Sequence, residues 1–294
     1  MAVAYDTSNG NIYVSNDYSG TVSVISGSTD RLLKTVSVGG GPFGVTYDPL
    51  NNDVYVANEV GNTVSVISAE TNTVIATVNV GNATGPFGIG GAGPVFVALD
   101  PANGDLYVAN SGASVVSVIS GATNRLVANI QVGTSPLDIL YDPSNGDMYV
   151  GNYNFGNVSL SVISGSNNKV LHYIQLGSVV QSFTGLARFP QGLGYDPCNG
   201  NIYALNSYTN ATYVVSSSNN SIIATIPVAA GPSGLIFDSH DGDVYVIGTQ
   251  SVTVISGTTV SDTITTSGYP AALAFDPSNN QVYVAGSDAV YVLS

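Results

Sequence analysis

The sequence predicts an all-β fold, a seven-bladed β-propeller of four-stranded antiparallel blades. Three observations carry that prediction. An aspartate ending a short apolar run recurs at Asp6, Asp48, Asp100, Asp142, Asp196, Asp238 and Asp276. Seven residues beyond each stands a tyrosine: Tyr13, Tyr55, Tyr107, Tyr149, Tyr203, Tyr245 and Tyr283. Six residues before the last six aspartates stands a proline, at Pro42, Pro94, Pro136, Pro190, Pro232 and Pro270. The aspartates lie 42, 52, 42, 54, 42 and 38 residues apart. Periods of this size belong to solenoids and propellers.

Each unit reads as four strands. In the second they are FGVTYD, DVYVAN, TVSVIS and TVIATVNV, all short, β-branched and alternating, with turn residues between them. No segment of helical period reaches ten residues. Four strands repeated radially leave only short sheet edges, whereas a β-helix, the main rival, has shorter coils and lacks such hairpins. The last unit supplies ALAFD, QVYVAG and AVYVLS, and the first begins directly with AVAYD. A three-stranded seventh blade with an open edge around Ala289–Leu293 is therefore expected. Residues 1–294 read as one propeller domain, excised from a longer chain.

The recurring Asp-Pro-x-Asn-Gly element, as in Asp142-Pro143-Ser144-Asn145-Gly146, has a turn explanation. Proline presets the first central position of a type I turn, and Asn or Gly supplies the left-handed residue that closes it. The leading aspartate can accept a hydrogen bond from a turn N–H. A row of aspartates that resembles a ligand set is thus expected to make hairpins.

Composition narrows the function classes. Five Lys and Arg face nineteen Asp and Glu, a formal net charge of −14, and only 8% of residues are charged. A polyanionic surface repels phosphate, which argues against nucleic acid and against adhesion to anionic lipid. No apolar run approaches the ~18 residues of a membrane-spanning helix, so no membrane insertion is expected. Sparse charge suits a protein facing acid or the cell exterior, because few lysines are left to repel one another once carboxylates neutralise. Cys198 is the only cysteine, so no intrachain disulfide and no thiolate metal cluster can form. It takes the variable hairpin position and is expected in solvent.

His172 and His240 are the only histidines, and they fall in an outer strand and in a hairpin, too far apart to share a metal or build a Ser-His-Asp set. Asp238, Asp241 and Asp243 replace the hairpin residues position for position and lack the terminal bidentate Glu of a calcium loop. No cofactor and no metal are expected.

The segments IYVSN (12–16), VYVAN (54–58), LYVAN (106–110) and MYVGN (148–152) resemble the signature of the YVTN-family β-propeller repeat. IYALN (202–206), VYVIG (244–248) and VYVAG (282–286) are drifted copies. The resemblance covers essentially the whole chain. It implies a propeller and an extracellular or cell-envelope location, since the family includes archaeal surface-layer and other envelope proteins, along with related domains in haem enzymes. It implies little about chemistry, because such folds host many activities.

By analogy with propellers, the A–B hairpins and C–D turns share one face. The B–C loops and D–A connections share the other, around the channel mouth. The D–A connections Gly81–Gly93 and Gly177–Phe189 are about ten residues longer than the rest, which marks that face as the binding side. The first is Gly-rich but lacks the Lys-Ser/Thr of a phosphate loop. The candidate ligand-binding residues there are Asp138, Arg188, Phe183, Tyr153, Phe155, Tyr208 and Tyr18, a mixture of aromatic and polar groups suited to protein or glycan. Asn-x-Ser/Thr triplets at Asn82, Asn157, Asn210 and Asn219 are candidate glycosylation sites. The expected function is a non-catalytic surface module that binds protein, glycan or neighbouring copies, with self-association through the last blade's edge a further expectation. The alternative is a propeller enzyme of lyase or lactonase type, with its site at the channel mouth.

Overall fold

A computed structural model describes residues 2–81, 93–154, 157–178 and 192–293. The strands form seven antiparallel sheets, the blades of a seven-bladed β-propeller. The first holds β1 (Val3–Tyr5), β2 (Asn11–Asn16), β3 (Thr21–Ser26) and β4 (Leu32–Ser37), and the second β5 (Pro42–Asp48), β6 (Asp53–Asn58), β7 (Thr63–Ser68) and β8 (Thr73–Asn79). The third holds β9 (Pro94–Asp100), β10 (Asp105–Asn110), β11 (Val115–Ser120) and β12 (Arg125–Gln131). The fourth follows with β13 (Pro136–Asp142), β14 (Asp147–Asn154), β15 (Asn157–Ser164) and β16 (Val170–Ser178). The fifth has β17 (Leu193–Asp196), β18 (Asn201–Asn206), β19 (Ala211–Ser216) and β20 (Ser221–Pro227). The sixth has β21 (Gly234–Phe237), β22 (Asp243–Ile247), β23 (Ser251–Ser256) and β24 (Thr259–Thr265). The seventh has three strands, β25 (Pro270–Asp276), β26 (Gln281–Gly286) and β27 (Val290–Leu293). Contacts group the chain into two compact units that divide within the fourth blade. Among the described residues no helix is long and apolar enough to cross a membrane.

The aspartates make hairpins, as the sequence predicts. In all seven blades the carboxylate Oδ1 accepts the N–H of the residue two further on, at 2.7–2.9 Å. The turn closes on a left-handed residue: Gly10, Asn52, Gly104, Gly146, Gly200, Gly242 or Asn280, with φ between 57° and 83°. Only Gly, or Asn with its short polar side chain, visits that region readily. Cys198 lies on one of these hairpins and is exposed.

The repeated tyrosines join blade to blade. The Tyr13 hydroxyl donates to Asn72 Oδ1 at 2.7 Å, Tyr55 to Asn124 Oδ1 at 2.7 Å, and Tyr107 to Asn168 Oδ1 at 2.6 Å. Tyr203 donates to the Gly257 carbonyl at 2.8 Å. Each acceptor belongs to the C–D turn of the following blade, at a residue with φ of 53° to 59°. Asparagine serves twice there, adopting the left-handed backbone and presenting its amide oxygen. Between the second and third blades these bonds frame a core that includes Val64, Val66, Val97, Leu106, Val108 and Ile119.

Where a middle strand is covered on both faces the two-residue alternation of burial vanishes: all six residues of β6 and of β18 are buried. Four outer strands keep one deeply buried residue each, Val36, Val78, Ile130 and Ile226. Their register slips at one equivalent place, leaving Leu33, Ile75, Val127 and Ile223 out of the ladder. Such bulges twist an edge strand and blunt its capacity to pair further.

Candidate functional site

The end of the blades opposite the hairpins is built around the asparagine that closes the second strand. Asn58 Nδ2 donates to Thr63 Oγ1 at 3.1 Å and to Ser65 Oγ at 2.9 Å. Asn16 does the same with Thr21 and Ser23, and Asn110 reaches Ser117 Oγ at 2.9 Å. Asn206 Nδ2 instead donates to the Leu176 carbonyl at 2.9 Å. Its Oδ1 accepts the N–H groups of Tyr208 and Thr209 at 3.0 and 3.3 Å. These amides clip the B–C turns to the strands. The connection from the preceding blade closes over them: a Cβ on Gly39 would lie 2.7 Å from the Asn58 amide carbon, which is why that position has no side chain.

The structure separates the candidate aromatic residues. Tyr18 lies on the short 3-10 turn Asp17–Ser19, and its ring is fully exposed. Tyr153 is half-buried and its hydroxyl donates to the Leu205 carbonyl of the next blade at 3.0 Å, so this side chain ties β14 to β18. Tyr208 is half-buried on a turn ordered by Asn206. Asp138 lies in the inner strand β13, 6% exposed, at the position of Gly44 in β5. A Cβ on Gly44 would sit 2.7 Å from the Val95 carbonyl oxygen, so inner strands approach closely at that level. Phe155, Phe183, Arg188 and Asn82 lie outside the described residues.

Of the other triplets, Asn157 is exposed at the start of β15. Asn210 is half-buried, with φ of 50° and its Oδ1 accepting the Gly231 N–H at 3.0 Å. Asn219 is exposed on a C–D turn at the opposite end, its Oδ1 taken by the Ser221 N–H and hydroxyl.

Two carboxylates at the B–C turns escape notice in the sequence, Asp17 and Glu59. Each directly follows a signature asparagine, Asn16 or Asn58, and that adjacency is the one signal that could have found them. Glu59 is half-buried; burial first, and then the charge of Asp17, raises its carboxyl above the ordinary range. In the last blade Asp288 accepts from Ser267 Oγ and Tyr291 OH, both at 2.8 Å, which holds its carboxyl below the ordinary range. This second group fastens a B–C turn to a D–A connection. The arrangement as a whole offers exposed aromatic and neutral polar contact, with weak acids set among it.

No protein-family model matches the chain, and no curated protein matches it. Among solved structures it is similar to a chain of Kuenenia stuttgartiensis hydrazine synthase, with a TM-score of 0.72 at 16% identity. The match covers 99% of this chain and 94% of that one. At so low an identity the likeness is one of fold.

Proposed function

We propose that this propeller is a non-catalytic cell-envelope or surface module of the YVTN-repeat kind. It binds protein or glycan through the end of the blades that carries the B–C turns and D–A connections. The observation that carries this reading is the contrast between the two ends. At the hairpin end the repeated Asp, Asn and Tyr groups bond to one another and to backbone. At the other end the Tyr18 ring is fully exposed beside a polar turn. A tyrosine so placed offers rigid, amphipathic contact area at small entropic cost. The low charge density and the exposed Asn157 triplet support an exterior location. The test is a glycan-array and envelope-protein binding screen of the chain, repeated with Tyr18→Ala. Loss of the recovered interaction in Tyr18→Ala, with Tyr173→Ala on an outer strand unaffected, supports the reading. Retention of binding in Tyr18→Ala overturns it.

A second reading is favoured by Asp138 alone. A carboxylate 6% exposed on an inner strand is the kind of group an active site uses, and the reading makes this chain a propeller enzyme of lyase or lactonase type. Activity lost on chelation and in Asp138→Asn would support it over the first.

A further inference from the structure

We propose that β4, the outer strand of the first blade, docks against β24, the outer strand of the sixth blade, in a second copy of this chain. The contact lies on the outer strands and does not depend on the binding end discussed above. The outer strands β4, β8, β12 and β20 each expose two adjacent aliphatic side chains, as Leu32 and Leu33 do in β4 at 60% and 54%. The second of each pair is the residue that the bulge leaves out of the ladder. A bulge blunts main-chain pairing, so what such a strand offers another molecule is its side chains. Adjacent apolar groups held out in this way suit a protein contact.

The aliphatic pairs recur from blade to blade and choose no partner. Charge does. Among the described residues all the Lys and Arg, namely Arg31, Lys34, Arg125 and Lys169, are exposed, and each lies in an outer strand or directly before one. Residues 189–294 contain aspartates and neither Lys nor Arg. Of the described outer strands β24 alone carries a carboxylate, the exposed Asp262, with Val260 beside it 43% exposed.

Lys34 and Asp262 hold the same place in their blades. Lys34 pairs with Val24 directly after the bulged Leu33, and Asp262 pairs with Val254 directly after the bulged Ser261. The second, third and fifth blades put alanine there, at Ala76, Ala128 and Ala224. Two outer strands that approach antiparallel about this place bring Lys34 against Asp262. A contact of β4 with β4 would oppose two lysines, and one of β24 with β24 two aspartates; like charges so placed repel. The contact is therefore between unlike strands and can repeat from copy to copy. Lys34 Nζ donates to the Thr71 carbonyl of the next blade at 3.3 Å, which steadies the ammonium without neutralising it. The exposed Asp30 and Glu70 on adjoining C–D turns temper the positive field, so the aliphatic pair is needed as well as the charge.

Sedimentation velocity of the 294-residue chain at rising concentration in low salt reads the contact directly. Reversible self-association that weakens as salt is added is expected. Lys34→Asp and Asp262→Lys each set like charges against one another, and each should weaken association roughly tenfold or more. Both side chains are exposed, so an unchanged melting temperature is expected of each variant and shows that it is folded. An equal mixture of the two variants should associate again, because each then supplies the charge that the other lacks. A monomer at every concentration, association that either substitution leaves unchanged, or a mixture no more associated than its separate components overturns the proposal.

Discussion

The second and seventh blades are written in nearly the same letters and sit in different surroundings. β6 reads DVYVAN and β26 QVYVAG. Yet β6 is buried at every position, while β26 is buried only at Val282 and Val284. Tyr55 is wholly buried and Tyr283 half-buried; Asp48 is buried and Asp276 half-exposed. The hairpin survives the change. Asp48 Oδ1 accepts the Leu50 N–H at 2.9 Å, and Asp276 Oδ1 accepts the Ser278 N–H at 2.8 Å. The electrostatics do not survive it. Burial raises the Asp48 carboxyl above its ordinary range, whereas the Ser278 hydroxyl and N–H hold that of Asp276 below it. Turn geometry is therefore written locally, and the sign of a pKa shift is written by packing.

The largest test of this contrast removes the tyrosine from each blade. Tyr55→Ala deletes a wholly buried ring and is expected to cost about 3–5 kcal/mol. Tyr283→Ala deletes a half-buried one and should cost about 1 kcal/mol. Equal losses in urea unfolding would break the comparison. Tyr55→Phe keeps the ring and removes the hydroxyl that donates to Asn124 and accepts from Asn51 at 2.8 Å. With two half-buried partners each losing a bond, about 1 kcal/mol should go. At Tyr283 the same change leaves Asn279 and Gln281 exposed to water, and an effect under about 0.5 kcal/mol is expected.

That role of the tyrosines marks the limit of what the sequence discloses. The hairpins, the blade count and the short last blade all follow from residues within a few positions of one another. Tyr55 and Asn124 are 69 residues apart, and Asn124 looks like any other turn residue until the blades are assembled. The candidate site fared unevenly for the same reason. Tyr18 and Tyr153 are both aromatics after a signature asparagine, and only the Leu205 carbonyl, 52 residues away, distinguishes the tethered one. Glu59 is marked only by its place after Asn58, and its burial comes from packing that no local pattern discloses.

Titration gives the next effect in size. Tyr13 and Tyr245 are each raised to about 12, first by burial and then by neighbouring aspartates. For a raised pKa, stability is intact below the unfolded value, near 10 for a phenol, and is lost as pH rises through the folded value. Circular dichroism should therefore show the fold weakening between about pH 10 and 12. The acid side should behave differently. Asp48, Asp53, Asp105, Asp243 and Glu59 are all raised by burial, so protonating them on the way from neutral pH to about pH 4 should hold or raise the Tm. A steady fall across that interval would contradict the burial of these groups.

The smallest expected effect is the most direct, because it asks for opposite signs from one substitution. Asp48→Asn keeps the Oδ1 acceptor for Leu50 and removes a charge whose other oxygen is buried without a hydrogen bond. An amide without an acceptor costs less than an uncompensated carboxylate, so the Tm at pH 7 should rise. Asp276→Asn removes an anion that accepts from both the N–H and the hydroxyl of Ser278. Charge-assisted bonds are the stronger kind, so here the Tm should fall slightly. The two shifts should fade on acidification by different routes, that of Asp48 by about pH 3 and that of Asp276 only at lower pH. The raised Asp48 is already neutral near pH 3, and its substitution changes no charge. The lowered Asp276 gives up its advantage as pH falls through its folded value. Shifts of the same sign at pH 7 would mean that burial does not separate the two blades, and an Asp48→Asn shift that persists at pH 3 would trace it to side-chain shape instead of charge.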